Sequence, residues 1–266
     1  MQRSRIQEGP YQIATCVVQH PSRKQVTPPR AIVDAAALVT RSKEPRPSGH
    51  VPRQHWTVAV LADGSRAPEA WRAAWGATGI AFRHLVDAID AHIGNLDRSS
   101  LEVMVATAFA EARKDLESTA YWNQKSIYDY ATSLLVIAAN PVAGACVAQL
   151  GDGAILHGPP WQLAVDRERR SETAHFLTDD DALQHVAVRW IDAPVLNVVA
   201  LTDTLRDAIA GPRSPLLTTL ANSSASRPDL ATLLRDTEAI GRKSEDIALI
   251  HLTIPHNLRP PALRAR

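Results

Sequence analysis

Six acidic residues lie in or beside apolar stretches of strand-like composition. Asp34 sits in Val33-Asp34-Ala35, and Asp63 closes Val58-Ala59-Val60-Leu61-Ala62-Asp63-Gly64. Asp152 lies in Gln149-Leu150-Gly151-Asp152-Gly153, Asp203 closes Val198-Val199-Ala200-Leu201-Thr202-Asp203, and Glu245-Asp246 precede an apolar stretch that begins at Ile247. Hard divalent cations take clustered carboxylate and carbonyl oxygens and often retain several waters. Acids from distant chain positions supply such a cluster if the strand ends converge. Gly64 lets the backbone carbonyl come close to whatever Asp63 holds. No His-x-x-x-His or Cys-x-x-Cys spacing competes for a zinc reading. Taken singly, each acid is more often a turn starter or a helix N-cap than a ligand. The functional reading rests on the ordered set.

The elements that must position these acids follow from hydrophobic patterning. Residues 11–19, 31–40 and 56–62 read as strands. Residues 69–92 carry Trp71, Trp75, Ile80, Phe82, Leu85, Val86 and Ile89 at mainly helical spacing. Core packing of Trp71 and Trp75 against a sheet is the expected use of that pair. A second helix spans 101–116, with Val103, Val105, Phe109 and Leu116 on its apolar side. Residues 130–139 and 145–150 form a hairpin around Asn140-Pro141-Val142-Ala143-Gly144. Further strands are expected at 154–157, 161–165, 186–191, 195–201 and 247–254, with helical segments from 205 and over 228–240. Hairpins with short loops favour antiparallel sheets covered by helices, an α+β architecture, over a doubly wound parallel sheet.

Composition bounds the rest. The chain of 266 residues is 45% hydrophobic and 21% charged, enough to bury a sizeable core. Lys+Arg 29 against Asp+Glu 28 gives a net charge of +1, so neither nucleic acid nor a membrane surface is an expected partner. Cys16 and Cys146 lie in apolar contexts and read as small core residues of a reducing compartment. The polar start and the lack of a spanning apolar run point to the cytoplasm. A single domain over 1–266 is expected, its core about 11–254. The proline- and charge-rich stretch 41–53 reads as a flexible insertion and the tail after Pro255 as disordered.

The ordered blocks resemble the bacterial branch of the metal-dependent, type 2C protein serine/threonine phosphatases. Val58–Gly64 is similar to that family's apolar strand ending in Asp-Gly. Tyr130-Ala131-Thr132-Ser133-Leu134-Leu135-Val136 with Val147-Ala148-Gln149-Leu150-Gly151-Asp152-Gly153-Ala154 is similar to its hairpin. Val199-Ala200-Leu201-Thr202-Asp203 and Lys243-Ser244-Glu245-Asp246-Ile247-Ala248-Leu249-Ile250 are similar to its two later metal-site strands, and Ser171–Asp180 to a loop of bacterial members.

The resemblance implies two packed antiparallel β-sheets flanked by α-helices, a four-layer αββα sandwich. It implies hydrolysis of phosphomonoesters on phosphorylated protein substrates, in partnership with a Ser/Thr kinase system. Two divalent ions, Mn²⁺ or Mg²⁺, would sit between the sheets and share a nucleophilic water. Carried over by position, Asp63 would bridge both ions and Gly64 would offer its carbonyl. Asp203 and Glu245, or Asp246 if the register slips, would hold one ion, and Asp34 would act through water. Asp152 would order the hairpin. Apart from the resemblance, Arg66 just after Asp63-Gly64 has two open readings, a bidentate donor to a substrate phosphate or a solvated side chain.

Thr204 stands where a glycine is usual, Glu245 where an aspartate is usual, and Ser65-Arg66-Ala67-Pro68 where eukaryotic members carry His-Gly-Gly. These departures keep a second reading open, a noncatalytic phosphatase-like module that binds a partner. A hydrolase of small phosphate esters is a third. His157 and His175 have no partner pattern in the sequence and are not expected to be ligands.

Overall fold

The apolar run that ends at Asp63 does not alternate because both of its faces are buried. In the computed structural model it becomes strand β3 (His55–Gly64), with every residue from Trp56 to Ala62 buried. Trp56, Val58, Val60 and Ala62 pack into one core, while Ala59 and Leu61 pack into another. A strand covered on both sides reads as a continuous apolar run rather than a period-two pattern.

The structure describes residues 11–18, 31–39, 55–92, 96–158, 160–165, 175–203, 205, 220 and 246–254. Besides β3, the strands are β1 (Gln12–Val18), β2 (Ala31–Val39), β4 (Thr132–Asn140), β5 (Gly144–Leu150), β6 (Ala154–Gly158), β7 (Gln162–Leu163), β8 (Ala187–Ile191), β9 (Asn197–Leu201) and β10 (Ile247–Thr253). They form two five-stranded sheets, ordered β2-β3-β4-β5-β8 and β1-β10-β9-β6-β7. Every pairing is antiparallel. The expected 41–53 insertion, the 228–240 helix and the tail lie outside the described residues.

Three apolar cores define the layers. Helices α1 (Ala70–Ala91) and α2 (Arg98–Trp122) cover the outer face of the β3 sheet. Leu61, Leu135, Ile137 and Val147 meet Ile155, Val198, Ile250 and Leu252 between the sheets. On the far side, Val199, Leu201, Ile247 and Leu249 pack with Leu205 and Leu220, both in helical conformation. This is an α+β sandwich with helices outside two packed antiparallel sheets. No helix among the described residues is long and apolar enough to cross a membrane.

The helices differ from the sequence reading in instructive ways. Trp75 is 56% exposed and Trp71 only half-buried, whereas Ala70, Ala73, Ala74, Ala77 and Ala81 are buried. The alanines let the α1 backbone approach the sheet and its partner helix, which leaves no room for indole rings on that face. Arg72 instead lies over the Trp71 ring, 5.0 Å from its centroid. Val103 is also exposed, although Leu101, Val105, Phe109 and Leu116 are buried as a helical stripe requires. Helix α2 starts earlier than apolar periodicity indicates because Asp97 caps it, accepting the Ser100 N–H at 2.7 Å. Cys146 is buried in the helix-facing core, and desolvation pushes its thiol up to about 12. It therefore packs as a small apolar residue.

His251 of β10 is 3% exposed, and burial holds its imidazole down to about 4. The unfolded imidazole titrates near 6.5. The unfolded chain thus binds the extra proton between these values, so stability is fully present above pH 6.5 and is lost as pH falls toward about 4. The loss is on the order of 2–3 kcal/mol. Urea unfolding at neutral and mildly acidic pH should show this slope in the wild type and a shallower one in His251→Leu.

Candidate functional site

The end of β3 is fixed by its neighbour. Asp63 pairs with Ser133 and Gly64 with Thr132 in the antiparallel ladder. The Thr132 and Ser133 hydroxyls both donate to the Asp63 carbonyl, at 3.1 and 3.2 Å. Past the strand, the Ser65 N–H donates to the Ala131 carbonyl and the Glu69 N–H to the Asp129 carbonyl, each at 2.9 Å. A side chain at Gly64 is excluded by close approach, because its Cβ would lie 2.5 Å from the Ala70 carbonyl oxygen at the start of α1. Strand alternation gives Asp63 the parity of Ala59 and Leu61, the positions that pack between the sheets.

The chain then crosses from one sheet to the other at the same end. Strand β5 runs back along β4 with Leu150 opposite Leu134, and β6 begins in the second sheet with Ala154 opposite Leu201. Gly151-Asp152-Gly153 makes the crossing, with φ of +88° at Gly151 and +114° at Gly153. Both conformations favour glycine. The Gln149 side-chain amide clamps the turn by donating to the Gly151 and Gly153 carbonyls at 3.1 and 3.0 Å.

Strand β9 ends beside that crossing. The Thr202 N–H donates to the Ala248 carbonyl at 3.1 Å, and the Ala248 N–H donates to the Thr202 hydroxyl at 3.3 Å. Asp203 follows at the first residue of a helical segment and is half-buried. Asp246 directly precedes β10 and is 2% exposed. It keeps the parity of Ala248 and Ile250, which pack between the sheets. Asp63, Asp152, Asp203 and Asp246 therefore gather at one end of the sandwich.

Two further sequence candidates fall differently. The register sets Asp34 opposite Val60 and Ala31 opposite Asp63. Asp34 is thus three steps along the ladder from Asp63. Glu245 lies outside the described residues. Arg66 is exposed on the loop that leaves Gly64. The structure also assembles a set of side chains that pattern reading passes over. His175, Asp181 and His185 bring their donor atoms within 4.8 Å of one another. They come from an irregular segment, which is tied to the rest by the hydrogen bond from Leu177 N–H to the Thr132 carbonyl, at 2.9 Å, and by Arg113, which donates to the Leu177 and Asp179 carbonyls.

A family model described as Protein phosphatase 2C matches residues 48–243. The chain belongs to the protein phosphatase 2C family. No curated protein matches it. Among solved structures, a bacterial serine phosphatase variant is 11% identical with a TM-score of 0.63, over 93% of this chain and 100% of that one. The serine/threonine phosphatase PstP of Mycobacterium tuberculosis is 12% identical with a TM-score of 0.57, over 92% and 99% of the two chains. The PstP catalytic domain in complex with two manganese ions is 14% identical with a TM-score of 0.50, over 84% and 98%.

In this protein phosphatase 2C chain the matched stretch takes in Asp63, Asp152 and Asp203 and stops short of Asp246. Asp246 reaches the same end because β10 pairs with β9 on one side and β1 on the other. The Gly151 crossing is the most constrained backbone there. An added Cβ would lie 2.7 Å from the Ser133 Cβ and 2.8 Å from the His175 carbonyl oxygen. Gly151→Ala is expected to cost about 2–4 kcal/mol, the sum of an unfavourable φ and overpacking, read as a lower midpoint in chemical denaturation.

Proposed function

We propose that this member of the protein phosphatase 2C family is a metal-dependent phosphatase of phosphoserine and phosphothreonine in proteins, working as one domain. The observation that carries the reading is the gathering of Asp63, Asp203 and Asp246 at one end of the sandwich, joined across the sheets by Gly151-Asp152-Gly153. The donor set fits the ions the reading needs. Carboxylates with the Gly64 carbonyl are hard oxygen donors suited to Mn²⁺ or Mg²⁺. The two manganese ions of the PstP complex support the same choice.

Asp63 and the Gly64 carbonyl would hold one edge of the site, and Asp203 with Glu245 or Asp246 the other. Asp34 would contribute at most through water, given its place in the ladder. When bound, such ions supply Lewis-acid stabilisation of phosphoryl charge and a water acidic enough to attack near neutral pH. The chain's own residues do the positioning. Thr132 and Ser133 lock the Asp63 backbone, so the carboxylate starts from a fixed point. The paired Thr202 and Ala248 do the same for Asp203. Arg66 offers a planar fork of donors to the substrate phosphate from the exposed loop. The Ser65-Arg66-Ala67-Pro68 loop carries no imidazole to protonate the leaving alcohol.

Thr204 and Glu245 favour one other reading, a partner-binding module without turnover. Purified protein assayed with Mn²⁺ on an aryl phosphate and a phosphoserine peptide separates the two. Asp63→Asn should lower kcat/KM by at least about 10²–10³-fold, the scale of losing one charge-stabilising group. Arg66→Ala should raise KM more than it lowers kcat. Turnover that survives Asp63→Asn would refute the site, and Mn²⁺ binding by calorimetry without turnover would establish the module.

A further inference from the structure

We propose that Gln149 is a positioning residue for the carboxylate end. By holding both glycines of the crossing, it sets the spacing between Asp63 on one sheet and Asp203 on the other. The inference rests on the phosphatase reading, because it concerns what those carboxylates hold.

Strand alternation gives Gln149 the parity of Ala145 and Val147, which pack between the sheets. It lies opposite Leu135 of β4 and Ala187 of β8 and is 5% exposed. Its companions on that face, Leu61, Leu135, Ile137 and Val147, are all apolar. The Gln149 Nε2 carries two hydrogens, and the crossing takes both, at 3.1 Å to the Gly151 carbonyl and 3.0 Å to the Gly153 carbonyl. The opposite amide orientation would set Oε1 against two carbonyl oxygens. The orientation adopted leaves Oε1 buried with no hydrogen-bond donor among the described residues. The turn therefore dictates how this side chain lies, even though a buried acceptor is left unmet.

Each glycine abuts a strand that leads to one of the acids. A Cβ at Gly151 would lie 2.7 Å from the Ser133 Cβ, and Ser133 pairs with Asp63 and donates to its carbonyl. A Cβ at Gly153 would lie 2.8 Å from the Leu201 carbonyl oxygen, two residues before Asp203. Gly151 and Gly153 are both buried, so removing the amide would deprive two buried carbonyls of a donor. Neither glycine has a side chain to restrict φ and ψ, and the crossing would rearrange to satisfy them. Such a rearrangement changes the spacing between Ser133 and Leu201, and with it that between the two acids. The bonds of Thr132 and Thr202 fix Asp63 and Asp203 each within its own sheet. Those of Gln149 run from one sheet to the start of the other.

The test uses the full chain in two variants. Gln149→Met keeps the length of the side chain and removes both donors, and Gln149→Asn keeps the amide one methylene shorter. Mn²⁺ binding by calorimetry and turnover of an aryl phosphate are measured below the Tm of each variant. Gln149→Met should weaken Mn²⁺ binding about 10–100-fold and lower kcat with little change in KM. Gln149→Asn should fall between it and the wild type. A role confined to folding would lower Tm and leave the Mn²⁺ affinity of the folded protein unchanged, and that result in Gln149→Met would overturn the positioning role. A crystal structure of the wild type grown with Mn²⁺ needs no variant to fold. It should show Nε2 on both carbonyls with the ions in place, and an amide turned away from them would overturn the role. Wild-type protein that binds no Mn²⁺ would instead overturn the phosphatase reading, and this inference with it, so the two failures are distinct.

Discussion

The crossing at Gly151-Asp152-Gly153 is the constraint on which the functional end of the molecule depends. Two sheets that share an apolar interface could slide or rotate against each other if only side chains held them. Here the chain passes from β5 in one sheet to β6 in the other within three residues. Positive φ at Gly151 and Gly153 makes so short a passage sterically accessible, and the Gln149 amide closes it by holding both glycine carbonyls. A Cβ at Gly153 would lie 2.8 Å from the Leu201 carbonyl, so the second sheet presses directly on the turn. The ladder positions on either side, Leu134 with Leu150 and Ala154 with Leu201, then set the end of β3 facing the end of β9.

Burial on both faces of the β3 sheet is the second requirement, and it dictates composition. One face must meet the other sheet, and the other must meet α1 and α2. A strand in that position has no solvent face to mark with polar residues, so Thr57 is the one polar side chain between Trp56 and Ala62. The helix above it meets a matching demand. Five alanines on the buried side of α1 permit close approach, and Gly76 comes against Asp115 of α2, whose carboxylate oxygen would lie 3.2 Å from an added Cβ. Apolar bulk displaced from that face goes outward, which is why Trp75 faces solvent.

What was legible in the sequence follows from these two requirements. Continuous apolar runs flanked by turn residues revealed most strands and the β4–β5 hairpin, where the Asn140 side chain accepts the Val142 and Ala143 N–H groups at 2.9 Å as an Asn at that position can. Asp63 and Asp203 were visible because an acid that abruptly ends an apolar run breaks the local pattern. The orientation of the tryptophans was not visible, since spacing reports a face and not which face has room. The ladder position of Asp34 relative to Asp63 depends on the β2–β3 register, which no single strand encodes. The neighbours of His175 were not visible for another reason. Asp181 and His185 reach it through a turn and a short 3-10 segment, and irregular backbone leaves no period in the sequence.

Thr132 joins the end of β3 to the His175–His185 segment. Its hydroxyl donates to the Asp63 carbonyl, and its own carbonyl accepts the Leu177 N–H two residues beyond His175. Thr132 is wholly buried, so one packed residue sets the place of this segment against the end of β3.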